Sequence, residues 1–588
     1  MDLNVQSLVD DPSFPPLIDV GAVPWSRRGS FVALSTLTQR PDVPAGGVEP
    51  GLYVWDVSGS RRGRWSGVFR FDALSGGAIG VDAVTPALMR LSVGDGTVEA
   101  VFDGPQTLRV RGSGTCLRLT EVGDRRSIVV PQAPGAWRLQ MSEDAHYVVA
   151  CLRGTMAVTG PKVRGDRGSG IGPNTVTVMP DGQGRFEFAL TQYESAYRAP
   201  AARRDFDECV AEVTAEFNAW AAEFPAVSPD LRRAAGLAAY VQWSCLVDPR
   251  GILARPAMLM SKNWMNAVWS WDHCFNALGL ARSHPELAWD QFMLPFDHQH
   301  PSGALPDVVH DNGRIWGFVK PPIHGWTLAA LMKLDVVTDT QLAEAYPKLA
   351  AWTRFWLDFR DDDGDGLCEY LDGCDSGQDN TTAFDAIGFP AAAPDLAAFL
   401  IVQMDTLAEV ATRLGDTVTA ASWQRQADTM LAALLDRLWD GDRFRILHAG
   451  AAAATPPGLD QFAYLPLILG PRLPPPVRRR LVTGLRASGL LTGFGLASES
   501  PTSPHYEPDG YWRGPIWAPT TLLVAVGLAA CEEHELAQAL SAAFLRTCRD
   551  SGFAENYEAT TGKALRDPGY SWSASVFWTL SPQASGRG

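Results

Sequence analysis

The sequence predicts an antiparallel β-sandwich followed by a closed ring of paired helices. Two observations carry that reading. Alternating, strand-like runs are confined to about the first 200 residues, and helical periodicity takes over after them. The helical segments are joined alternately by tight turns and by long loops rich in Trp, Gly, Pro, Asp and His, which suits helical pairs closing into a ring with the long loops gathered at one end. At 588 residues the chain is also long enough for two or more domains.

Within residues 1–200, GLYVWDVSG, GRWSGVFRFDAL, ALMRLSVGDGTVEAVFDG, TLRVRGSGTCLRLTEVGDRRSIVV and GRFEFALTQ are short alternating runs punctuated by Gly-Asp, Ser-Gly and Pro. That spacing is the pattern of an antiparallel sandwich. Residues 201–228 read as a helical linker, because RRDFDECVAEVTAEFNAWAAEF is amphipathic at helical spacing. Residues 229–588 accommodate about a dozen helices, among them PDLRRAAGLAAYVQWSCLV, IHGWTLAALMKL, DLAAFLIVQMDTLAEVATRLG and WAPTTLLVAVGLAA.

Composition removes several classes of function. The net charge of −16 leaves no basic face for nucleic acid. No stretch is apolar for long enough to cross a membrane, and MDLNVQSLVDDPSFPPLIDV lacks the basic and apolar regions of a signal peptide. The nine cysteines are scattered singly without a CxxC, the usage of a reducing compartment, so a cytoplasmic location is expected.

Sixteen of the 20 tryptophans lie after residue 200, and Trp264, Trp269, Trp271, Trp316, Trp326, Trp512, Trp517 and Trp572 fall in or beside the long loops. Flat apolar rings bordered by Asp, Asn, Arg and Gly suit the C–H faces and hydroxyl edges of a sugar, and a small carbohydrate is the expected ligand. Hydrolysing a glycosidic bond needs two carboxyl groups, one protonated toward the leaving oxygen and one activating water or attacking directly. From chemistry alone the candidates are Asp272, Asp379, Glu507, Asp509 and Glu555, with Glu558 competing for the role of Glu555. Asp272 could equally be a first-turn helix residue. Lys320 and His324 stand in a rigid, polar loop, and Arg513 is a fork-shaped donor between Trp512 and Gly514. His298 and His300 have no strong metal-ligand spacing. Asp361, Asp363 and Asp365, followed by Gly366 and Asp372, match the start of a calcium loop, with a solvated acidic turn as the other reading. Any such Ca²⁺ would be structural, and no cofactor is required.

WSWDHCF, GALPD, KPPIHGW, DDDGDGLCEY, DSGQDNT, YWRGPIW and ENYEATTG, in this order over about residues 260–578, resemble the inverting α-glycosidases of the clan that holds processing α-glucosidase I, bacterial members of glycoside hydrolase family 63 and the family 37 trehalases. The resemblance implies an (α/α)6 barrel, often preceded by a β-sandwich. It implies Asp379 as general acid and Glu555 as general base, with Trp271, Asp272, Trp512 and Arg513 lining the glycone subsite. Asp375, Gln378, Asn380, Trp517 and Trp572 join Lys320 and His324 as expected sugar contacts. Four places depart from the family pattern. Asp375 replaces the leading Glu, Gln378 a frequent Trp, Thr381-Thr382-Ala383 the usual Ser-Pro-Arg, and Lys320 the Gln before Pro-Pro.

The activity expected is therefore that of an inverting, exo-acting α-glycosidase, foremost an α-glucosidase on a small oligosaccharide or glucoside. Its two carboxyl groups would stand roughly 6.5–9.5 Å apart to admit a water. The alternatives are a debranching or phosphorolytic enzyme on the same barrel and a sugar-binding relative without catalysis.

Overall fold

The computed structural model describes residues 18–37, 49–59, 66–74, 77–122, 127–141, 145–160, 173–200, 204–449 and 459–584. Most of the N-terminal stretch read for a signal, and short parts of two strand runs and of the linker, lie outside the described residues.

The N-terminal half is a β-sheet domain. One antiparallel sheet has seven strands, ordered Trp25–Ser26, Val32–Ser35, Tyr53–Asp56, Gly67–Ala73, Leu117–Glu121, Thr175–Met179 and Thr155–Thr159. The other has eight, running from Ser127–Ala133 at one edge to Ile79–Val84 at the other, with Arg185–Tyr193 and Thr107–Ser113 at its centre. Alternation decides which face is buried: in Met89–Val93, Met89, Leu91 and Val93 are buried while Arg90 is exposed. Val54, Phe69 and Leu119 of the first sheet and Val98, Val110 and Val149 of the second belong to one core. The strands Ala136–Met141, Ala145–Arg153 and Thr175–Met179 were not among the expected runs. Their signal is diluted by short turns, such as that at Gly135 between two strands of one hairpin.

Helix α1 (Phe206–Ala222) starts at Asp205, whose side chain accepts from the Asp207 amide while Glu208 reaches back to the Asp205 amide, a reciprocal cap. It packs on both the Gly96–Phe102 strand and helix α2 (Arg232–Cys245), joining the two halves. The helices that follow are α3 (Asp272–Leu280), α4 (Pro285–Met293), α5 (His324–Lys333), α6 (Asp339–Phe359), α7 (Pro394–Arg413), α8 (Thr417–Ala433), α9 (Pro475–Ala487), α10 (Ala518–Ala530), α11 (His534–Ser551) and α12 (Ser571–Ala584), together with the 3-10 segment Phe462–Arg472. Helix α6 passes through Pro347 without ending there.

Six of these elements touch in sequence around a circle: α3 on α5, α5 on α7, α7 on Phe462–Arg472, that segment on α10, α10 on α12, and α12 back on α3. The remaining helices pack outside them, α8 on α7 and α11 on α10 and α12 among the most extensive pairs. The composition of α10 fits its inner position, since APTTLLVAVGLAA is apolar on nearly every side and almost wholly buried. Connections from an inner element to the next outer helix are tight, as from α3 to α4 or α7 to α8, whereas those leading back inward are long.

The two halves are tied by polar contacts at one edge. The buried Lys262 ammonium donates to Ser26 Oγ at 2.8 Å and to the Ser30 carbonyl. The Gly59 amide donates to Asp311 at 2.7 Å, and Trp55 meets Trp264 edge to face at 6.4 Å. Burial holds the Lys262 pKa down at about 7.

The ring depends on small residues where inner helices approach. Gly325 of α5 lies against Gln403 of α7, so that a Cβ there would sit 2.3 Å from the Gln403 Cα. The Gly325 amide donates to Gln403 Oε1 at 2.9 Å, and Thr406 Oγ1 donates to the Gly325 carbonyl at 3.1 Å. Gly325→Val is expected to lower unfolding stability by about 3 kcal/mol or more, read as a depressed denaturant midpoint, because the clash is with backbone rather than with a movable side chain.

Candidate active site

Five of the long inward connections meet at the end of the ring where the inner helices begin. They enclose a cavity of about 310 Å³ lined by Met265, Trp269, Trp271, Asp272, Lys320, Gly377, Asp379, Tyr511, Trp512, Trp517, Glu555, Tyr570 and Trp572. Trp512 and Trp517 stack face to face at 3.9 Å. Trp271 lies 6.5 Å from Trp512, and Trp572 stands edge-on to Trp271 and Trp517. The walls are therefore apolar faces, and the polar groups between them are carboxyls, one ammonium and the tyrosines.

The loop that carries Asp379 is fixed before it reaches the cavity. The Asp372 carboxylate accepts from the Cys374 amide at 2.8 Å and starts the turn Gly373–Ser376. Gly377 ends that turn at φ 70°, and a Cβ there would lie 2.5 Å from the Trp271 ring, so only glycine fits. Asp375 is buried and accepts from the amides of Val319 and Leu371, both at 3.0 Å, and from Arg360 Nη1 at 2.8 Å. Asp379 then emerges with a third of its side chain exposed.

Lys320 is the one cation in the lining among the described residues. Its Nζ donates to the Cys374 carbonyl at 2.8 Å and lies 3.4 Å from Asp379 and 3.8 Å from Asp307. Burial opposes its charge, but the carboxylates of Asp379, Asp307 and Asp272 outweigh burial and hold its pKa above the ordinary value. Asp272, the first residue of α3, is buried with its Oδ2 unpartnered. Burial pushes its carboxyl up to about 7, with Lys320 pulling the other way. The α3 N-terminus favours a negative group at that position.

Glu555 comes from the opposite wall. It sits in the strand Ala554–Tyr557, paired with Ala564–Pro568. Tyr511 donates its hydroxyl to Glu555 Oε1 at 3.0 Å, and the Asp567 amide faces Oε2 at 3.4 Å. Burial, and next the Glu555 charge, hold the Tyr511 hydroxyl pKa far above its usual range, so it stays a donor. Asp567 is anchored in turn by Ser261 at 2.6 Å, Asn263 at 2.9 Å and the Trp264 and Met265 amides. That places the segment tied to the β-sheet domain directly behind the Glu555 strand.

Of the residues expected to touch sugar, Trp271, Asp272, Lys320, Trp512, Trp517 and Trp572 line the cavity, as do Asp379 and Glu555. Five others are placed outside its lining. His324 is wholly buried, with Nε2 3.2 Å from the Ser270 carbonyl and Nδ1 accepting from Trp352 Nε1, because the start of α5 turns it inward. Asp375 serves the scaffold contacts given above. Gln378 accepts from Gln461 at 2.8 Å. Asn380 spans the Gly510 carbonyl and the Trp512 amide. Arg513 forms a two-pronged pair with Asp385 at 2.7 and 2.8 Å, spending its fork on a carboxylate of its own chain. Of the other loop tryptophans, Trp264 and Trp326 are buried and Trp316 is exposed. Sequence reasoning missed Tyr511 and Tyr570. Both had a signal, Tyr511 beside Trp512 in YWRGPIW and Tyr570 two residues before Trp572 in PGYSW.

The acidic run is also rearranged relative to expectation. Asp361, Asp363 and Glu369 bring carboxylate oxygens within 4.8 Å of one another. Asp365 instead pairs with Arg437 at 2.6 Å, and Asp372 caps the turn before Asp379. The donor set suits a hard cation, since all its ligands are oxygens and Glu369 Oε1 is buried without a partner.

A cavity of this size, walled by stacked indoles and holding two carboxyls braced from opposite walls, is the site of a glycoside hydrolase. The match to a family model bears this out. Residues 265–573 match the mannosylglycerate hydrolase MGH1-like glycoside hydrolase domain, and the chain belongs to that family. The chain is 26% identical to a mannosylglycerate hydrolase of Thermus thermophilus over 53% of its own length and 94% of the relative. It is 24% identical to a glucosylglycerate hydrolase of Mycolicibacterium hassiacum over 56% and 97%. A bacterial glucoamylase complexed with acarbose shares the fold over 97% of this chain and 94% of its own, with TM-score 0.62 at 12% identity. Among the described residues no helix is long and apolar enough to cross a membrane.

Because the folded pKa of Asp272 lies above its unfolded value, the unfolded state binds fewer protons between about pH 4 and 7, and stability must fall as pH rises through that window. Asp272→Asn removes this loss. The unfolding free energy of variant minus wild type, from denaturant titration at each pH, should rise from pH 4 to 7 by at most about 1.4 kcal/mol per pH unit. Gly377→Ala displaces Trp271 and the Asp379 loop together, and kcat/KM on any cleaved glycoside should fall about 100-fold with the protein still folded by circular dichroism.

Proposed function

We propose that the protein is an inverting, exo-acting α-glycosidase that releases a single hexose, foremost glucose, from a small α-glucoside or oligosaccharide. The observation that carries this is the placing of Asp379 and Glu555 in the lining of one small cavity, each held by different partners. Asp379, beside Lys320, protonates the glycosidic oxygen. Glu555, oriented by Tyr511, takes a proton from the attacking water on the other face of the ring. Asp272, with a free oxygen in the lining, accepts from the sugar hydroxyls, and the indoles cover its C–H faces. The exo mode is supported by the cavity's size, at the small end of ligand sites.

In the same reading the circle of inner and outer helices is an (α/α)6 barrel spanning residues 229–588, with a β-sandwich at 1–200 and a linker between. A structural Ca²⁺ at Asp361, Asp363 and Glu369 belongs to the proposal, and no catalytic step needs it. Nine free cysteines, five of them buried, support a reducing, cytoplasmic location. A second reading takes its support from the relatives, named as hydrolases of mannosylglycerate and glucosylglycerate, and from Lys320, the cation in the lining: the aglycone would then be glycerate.

A release assay over α-glucosides, α-mannosides, α-galactosides, mannosylglycerate and glucosylglycerate separates these readings. On the best substrate, Asp379→Asn and Glu555→Gln should each reduce kcat by about 10²–10⁴-fold. Product NMR should show the β anomer first. An initial α anomer overturns the inverting assignment, and dependence on added phosphate would make the enzyme a phosphorylase.

A further inference from the structure

The sheet that carries Trp269 into the cavity continues outward to an exposed apolar rim. Strand Val268–Trp269 pairs with Val308–His310, which pairs with Gly313–Ile315, and Trp269, Val308 and Ile315 stand opposite one another in register. Directly opposed residues share a face, so Ile315 extends the face of Trp269 away from the pocket. Ile315, Trp316 and Phe318 are 37%, 44% and 38% exposed, three large apolar side chains in four positions. The Phe318 ring lies 5.9 Å from Lys320 Nζ, and that nitrogen lies 3.4 Å from Asp379. Trp316 is held edge-on to His300 at 5.6 Å.

The position of this rim matters because of which carboxyl it adjoins. A general acid must reach the leaving oxygen, so the aglycone departs on the side of Asp379. Phe318 stands against Lys320 on that side, with the exposed Trp316 two residues before it in the chain, whereas Glu555 is held from the other wall by Tyr511 and Asp567. A compact anionic aglycone would have no use for exposed rings, and Lys320 is already engaged by Asp379 and Asp307. We infer that Trp316 and Phe318 form the aglycone subsite and that its occupant is a second pyranose ring, stacked by its C–H face. The inference rests on the hydrolase reading for its orientation, but it can be measured through binding alone.

In the inactive Asp379→Asn protein, an S-linked α-glucosyl-glucose that cannot be cleaved should bind about tenfold more tightly than free glucose by calorimetry. Adding Trp316→Ala and Phe318→Ala should erase that advantage and leave glucose affinity unchanged. An advantage that survives, or never exists, overturns the subsite. In the otherwise native enzyme the same double variant should raise KM for a cleaved disaccharide about tenfold with kcat held, while hydrolysis of α-glucosyl fluoride, which places no ring on the rim, is unaffected. Equal losses on fluoride and disaccharide would also overturn it. A wild type that cleaves neither substrate refutes the catalytic reading, and the calorimetric comparison then still decides the rim.

Discussion

The carboxylate of Asp375 is the contact on which the site most depends. One buried side chain joins the end of α6 through Arg360, the turn before Asp379 through the Leu371 amide, and the Lys320 segment through the Val319 amide. Three stretches of chain that share no secondary structure are thereby set in fixed relation. The ion pair is nearly buried on the Asp375 side, so losing either partner would strand a charge away from water. Asp379 and Lys320 inherit their separation from that arrangement.

Each wall of the cavity follows the same logic. Each lining residue is braced by a neighbour: Trp271 by Gly377, Tyr511 by Trp517, Glu555 by Asp567, and Asp567 in turn by Ser261 and Asn263. Behind Glu555 the bracing groups are polar and hydrogen-bonded to one another, which holds its carboxylate to one geometry.

This division explains what could be read from the sequence. The change from strand to helical periodicity near residue 200 was legible, because burial imposes those periods directly. The meeting of Asp379, Glu555, Trp271 and Trp512 in one place was legible through ordered motifs. The split between lining and backing was not. Gln378, Asn380 and Arg513 stand beside pocket residues and have sugar-binding chemistry, yet each is captured by a partner far along the chain, Gln461, Gly510 and Asp385 in turn. Only the folded chain says which side of a loop faces inward. Glu369 replaced Asp365 in the acidic cluster for the same reason, since Arg437 arrives from α8's extension to claim Asp365.

The Lys262 joint has a consequence for the order of assembly. Its partners Ser26 and Ser30 are made first and wait more than 230 residues for the ammonium that they receive. The neighbouring Asn263 must then wait a further 304 residues for Asp567, the support of Glu555. Asp379 and the Lys320 ammonium beside it are synthesised while the wall that carries Glu555 is still missing. A nascent chain stalled before Ala554–Tyr557 would thus hold one carboxyl of the pair, Asp379, with nothing facing it. Any activity must appear all at once, as the last turn of the ring closes on the first.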